Sequence, residues 1–145
     1  MKQFFYILSF TLIMFTSTNL YSQCGDALLD VCHEKIGDTR FIKSFPVQLE
    51  AQKPGGSLPV VRYSMVLNSG TTYRLVACNA KEFPGKVIFS LNFQDKLIVT
   101  SYSLDTKKHF PSVEFTCGMS GLYHIDFYFE DGKEGCAVGI VSAVK

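Results

Sequence analysis

From Arg40 to the end, the sequence alternates apolar and polar residues with a period of two. A helix cannot use that pattern, because only a pleated strand sends successive side chains to opposite faces. Phe41, Phe45, Val47 and Leu49 mark the first such run, and Val61, Tyr63, Met65 and Leu67 the second. Thr71–Cys78 is rich in branched and aromatic residues, which favour strand. Val87, Phe89, Leu91 and Phe93 alternate next, then Leu97 and Val99, then Val113, Phe115 and Cys117. Tyr123, Ile125, Phe127 and Phe129 follow, and Cys136, Val138 and Ile140 are expected to close the core. Asn68-Ser69-Gly70, Gln94-Asp95-Lys96, Gly118-Met119-Ser120-Gly121 and Asp131-Gly132 supply turns between the runs. About eight short strands with turns every 8–12 residues predict an all-β protein, a sandwich or barrel. Each sheet has one wetted face, so two sheets must stack to bury this much aromatic surface.

Residues 24–36 break the pattern and predict a short helix, with Asp26 as its cap and Gly37 as its stop. Leu28, Leu29, Val31, Cys32 and Ile36 give it an apolar side.

Lys2 precedes an apolar run from Phe4 to Phe15, and Ser22 follows a short polar stretch. Basic start, apolar middle and small residue make a secretory signal peptide, with cleavage expected after Ser22. The apolar run is about 12 residues, short of the roughly 20 that span a membrane. Gln23 and Tyr21 stand where a lipid-accepting Cys24 wants a small residue and a Leu, so a soluble product is preferred to a lipoprotein. The expected organisation is a leader over 1–22, a helical segment over 23–38 and one β domain over 39–145. Export places the protein in the periplasm or outside the cell.

All five cysteines, Cys24, Cys32, Cys78, Cys117 and Cys136, follow the leader, and an oxidising compartment makes pairing the default. Eight helical steps would separate Cys24 from Cys32 by about 12 Å, beyond the roughly 7 Å a bridge allows. If strands run alternately up and down, Cys78 and Cys136 share one end, while Cys117 shares the other with the residues before the first strand. The expected bridges are Cys78–Cys136, and Cys117 with Cys32 or Cys24.

Loss of Lys2 with the leader leaves 13 basic against 13 acidic residues. With no net charge and no basic stripe, nucleic acid and anionic membrane are poor partners. No cysteine spacing matches a zinc or redox motif, and no serine sits in Gly-x-Ser-x-Gly. No catalytic residue, cofactor or metal is assigned. His124, Asp126, Tyr128 and Glu130 share the polar face of one strand and form the candidate ligand-binding set. Next to them, small outward residues Ala137, Gly139 and Val141 of the last strand would leave a shallow groove. The absence of Trp weakens a sugar-stacking platform.

The stretch from about Leu67 to Val141 resembles the bacterial pre-peptidase C-terminal domain family. Leu67–Leu75, with its Gly-Thr-x-Tyr start, Val87–Leu91, and Phe115–Ile125, with its Ser-Gly-x-Tyr start, carry the resemblance. It implies a jelly-roll-like antiparallel sandwich that adheres to substrates or surfaces. The chain is also similar to small exported bacterial proteins. The function expected is a non-enzymatic binding or adhesion module for a protein or glycan. The alternative is a structural or accessory subunit packed against another secreted protein.

Overall fold

The structure, a computed structural model, describes residues 24–145. The expected leader lies outside the described residues. Helix α1 covers Asp26–Glu34, and ten strands follow. They are β1 (Arg40–Leu49), β2 (Val61–Leu67), β3 (Thr72–Asn79), β4 (Val87–Phe93), β5 (Lys96–Thr100), β6 (Tyr102–Ser103), β7 (Lys108–His109), β8 (Ser112–Thr116), β9 (Gly121–Phe129) and β10 (Gly135–Ala143). The two-residue strands β6 and β7 pair with each other as a small ribbon. The other eight form two antiparallel sheets, ordered β1-β10-β3-β8 and β2-β9-β4-β5. Renumbered along the chain without the ribbon, these orders read 1-8-3-6 and 2-7-4-5. Each sheet draws strands from both halves of the chain, as a jelly roll does. The all-β sandwich expected from the period-two pattern is the fold.

Period-two alternation places the main core between the sheets. Tyr123, Ile125, Phe127 and Phe129 of β9 point inward and meet Val87, Phe89 and Leu91 of β4 and Phe45 and Val47 of β1. Each such side chain contributes about 1.5–3 kcal/mol by leaving water. The β4–β5 hairpin closes through Gln94 and Asp95, both at positive φ (48° and 61°), as a two-residue turn of mirror-image type requires.

A second, smaller core lies on the other side of the first sheet. Cys32 of α1 and Ile36 just past its end pack on Val76 and Cys78 of β3 and Val138 and Ile140 of β10, with Leu28 and Leu29 beside them. Val31 instead stays exposed. At nine residues α1 is too short to hold its shape alone, so this packing maintains it. Gly25 occupies the cap position and Asp26 the first turn, where its charge complements the helix dipole. Strand β10 is therefore buried at all nine positions.

This corrects the expected orientation of β10. Cys136, Val138 and Ile140 face α1, while Ala137 and Val141 face the main core. A strand covered on both sides is apolar on both sides, so alternation loses its direction. Side-chain size decides instead. A Cβ on Gly139 would run into the Phe127 ring, so the smallest residue sits where the largest neighbour needs room.

The cysteine pairing is also corrected. The bridges are Cys24–Cys136 and Cys32–Cys78, each with Cα atoms 5.7 Å apart, and Cys117 is free and buried. Cys78 and Cys136 do share one end of the sheet, since Cys78 pairs with Val138 and Ala80 N–H donates to Cys136 O. Both nevertheless point to the helix. α1 runs back along the sheet, from Cys24, whose sulfur lies 3.7 Å from Val47 O near the end of β1, to Thr39, which donates to Ser142 Oγ near the start of β1. A residue preceding β1 thereby reaches the far end of the sheet. Cys117 belongs to the main core, at the opposite end and in another layer, where no helix cysteine comes.

Candidate functional site

The outward faces of the two sheets differ. That of the first sheet carries α1, bolted on by both disulfides. That of the second, β2-β9-β4-β5, carries no helix among the described residues, and its cross-strand register sets out an array of side chains.

One row runs Arg62–Asp126–Ser90 across β2, β9 and β4. Arg62 grips Asp126 with two bonds, Nε to Oδ1 at 2.6 Å and Nη2 to Oδ2 at 2.8 Å. Asn92 Nδ2 adds a third at 3.3 Å. The Asp126 side chain is 14% exposed against 55% for Arg62, so the pair lies on the surface. Hydrogen bonding to Asp126 holds the Arg62 guanidinium above its ordinary pKa. An exposed pair of this kind adds little to stability, so its effect is to orient rather than to stabilise.

The next row runs Ser64–His124–Asn92. Ser64 Oγ and His124 Nδ1 are hydrogen-bonded at 2.7 Å. Beyond it, Val66 and Leu122 lie opposite each other and are 65% and 52% exposed. On the other side of the Arg62 row, Tyr128 lies opposite Ile88. Partial burial, and secondarily the charge of Asp126, pushes the Tyr128 hydroxyl up.

Of the four residues singled out from the sequence, His124, Asp126 and Tyr128 share this face. Glu130 does not. It begins a single 3-10 turn, Glu130–Gly132, beyond the end of β9, where the β6–β7 ribbon takes it up. His109 Nε2 donates to Glu130 Oε2 at 3.0 Å, and the His109 ring lies 4.7 Å from that of Tyr102. The His109 bond, helped by Tyr102, holds the Glu130 carboxyl below its ordinary pKa.

The expected groove beside Tyr128 is absent. Strands β9 and β10 lie in different sheets, and Gly139 faces the Phe127 ring inside. Asp126 already has three donors, and among the described residues no group of three or more His, Cys, Asp or Glu side chains is placed to hold a metal ion.

The sequence reading passed over Arg62, Ser64, Asn92, Val66 and Leu122, because strand register is not written in the chain. A partial signal was there. Val66 and Leu122 are apolar residues in the polar slots of β2 and β9, which is where alternation flags an exposed contact.

The two Ser-Gly turns at one end of the sandwich are locked together. Ser69 N–H donates to Ser120 Oγ at 2.8 Å, Ser69 Oγ donates to Gly118 O at 3.0 Å, and Gly70 N–H donates to Cys117 O at 2.8 Å. Gly70, at φ +82°, takes the left-handed conformation the turn requires. Tyr73 accepts from Asn68 N–H, and Tyr123 donates to Met119 O, so each tyrosine ties down its own turn. The similar sequences at these two strand starts thus have a common structural use.

No family model matches the chain, and no curated protein is found similar to it. Among solved structures, the crystal structure of Aeromonas hydrophila PliG, a periplasmic lysozyme inhibitor of g-type lysozyme, is similar in fold. The TM-score is 0.53 with 12% identity, over 74% of this chain and 89% of that one. At that identity the likeness is one of fold alone.

Proposed function

We propose that this chain is an exported, non-enzymatic module that binds another protein through the outward face of β2-β9-β4-β5. The observation that carries the reading is the asymmetry of the two faces. One sheet is covered by a disulfide-bonded helix, while the other presents exposed Val66 and Leu122 beside the hydrogen-bonded Arg62–Asp126 and Ser64–His124 pairs. Exposed apolar side chains beside ordered polar groups are what protein interfaces are built from. Groups already held in place lose little freedom on binding, which favours affinity. Two bridges suit an oxidising compartment, where the partner would also be.

A lysozyme is the first partner to try, because a protein of similar fold is a periplasmic inhibitor of one. The test is capture of a g-type lysozyme, and of proteins from a secreted fraction, by wild type and by the variants Val66→Asp and Leu122→Asp. Binding of a protein by wild type, lost at least tenfold in both variants, supports the reading. Binding that survives both substitutions contradicts the assignment of the face. Retention on a glycan array with no protein captured contradicts the assignment of partner class.

A further inference from the structure

A second site lies away from the bare sheet. Between the end of α1, the end of β3 and the segment after β7 is a cleft of about 380 Å³, within the range of small-molecule sites. Its lining includes Lys35, Lys86 and His109 and no acidic residue. The whole chain is close to neutral, so this is a local excess of positive charge. Glu130 lies close by, but it is engaged by His109, and neither lysine has an ion pair among the described residues.

The polar groups of the lining are left as donors. Asn79 Oδ1 accepts from Val87 N–H at 2.6 Å, which leaves its amide N–H groups free to donate. Ser101, only 3% exposed, accepts from Phe89 N–H at 2.9 Å and keeps its own hydroxyl proton without an acceptor among the described residues. Phe110 and Phe89 supply apolar wall. Cations and donors beside an aromatic wall, with no carboxylate in the lining, suit an anion that carries an apolar body.

We infer that this cleft binds a small organic anion, with its carboxylate between Lys35 and Lys86 and its apolar part against Phe110. Lys35 follows Cys32 of the Cys32–Cys78 bridge by three residues, and Cys78 itself lines the site. The inference is independent of the protein-binding face.

Titration of the oxidised protein with hexanoate, followed by NMR, tests it. Saturable shifts are expected at the Asn79 side-chain amide and the Phe110 ring. The double variant Lys35→Ala/Lys86→Ala should bind at least about tenfold more weakly, with signals elsewhere unchanged, since two charge-assisted contacts are removed. Hexanol, which lacks the charge, and inorganic phosphate, which lacks the apolar body, should each bind at least about tenfold more weakly than hexanoate. An equal response to hexanol, an equal response to phosphate, or full binding by the double variant overturns the inference.

Discussion

Cys32 of α1 is bonded to Cys78 of β3 with their Cα atoms 5.7 Å apart, across the buried seam between helix and sheet. The bridge closes a 46-residue separation, and its companion, Cys24–Cys136, closes one of 112. Helix, covered sheet and bare sheet follow from these links, because they fix which face of the sandwich is taken.

Peptide mapping of the oxidised protein should therefore give Cys24–Cys136 and Cys32–Cys78. Replacing Cys32 and Cys78 together by Ser should cost about 2–4 kcal/mol in denaturant unfolding, from the freedom returned to the unfolded chain. A loss below about 0.5 kcal/mol would mean that α1 adds little to the fold.

Cys117 should behave as a hidden thiol. Its sulfur is buried, 3.2 Å from Met119 O and 3.4 Å from Tyr123 Oη. A thiol reagent should find no reactive group in the native protein and one per chain in denaturant. Rapid native labelling would place Cys117 outside the core.

Gly139→Val should destabilise strongly, because the new side chain would occupy the space of the Phe127 ring. Overpacking of this kind costs about 1–3 kcal/mol. Were β10 turned the other way, with Gly139 in water, the same substitution would be neutral or mildly stabilising, since valine favours strand.

Tyr123 links stability to alkaline pH. Burial above all, and then the Cys117 thiol, pushes its hydroxyl up from 10 to about 12. The folded state thus favours the neutral phenol. Its contribution is complete below the unfolded pKa of about 10 and is lost as pH rises from there through about 12. Tyr123→Phe should cost about 1 kcal/mol at neutral pH, through the lost bond to Met119 O. It should also fall less steeply than wild type between pH 10 and 12. Parallel curves would show that Tyr123 ionises freely in the folded protein.

How far the fold was legible depends on the layer. In β9, β4 and β2 one face is dry and one wet, so alternation named Ile125, Phe127, Leu91 and Met65 as inward residues correctly. In β10 both faces are dry, and the same rule put Val138 in the wrong core. The outward array of β2, β9 and β4 shows a similar split. His124, Asp126 and Tyr128 were legible because one strand carries all three. Their partners Ser64, Arg62 and Asn92 come from other strands, and only the register brings them together. The pairing of the cysteines required the path of α1 along the sheet, a tertiary fact that strand counting does not contain.

The most direct test of the proposed protein-binding face is amide hydrogen exchange of the chain alone and with a captured partner. Slowed exchange in β2, β9 and the edge strand β5, with α1 unchanged, is the predicted result. Protection centred on α1, with β2 and β5 exchanging as in the free protein, would contradict it.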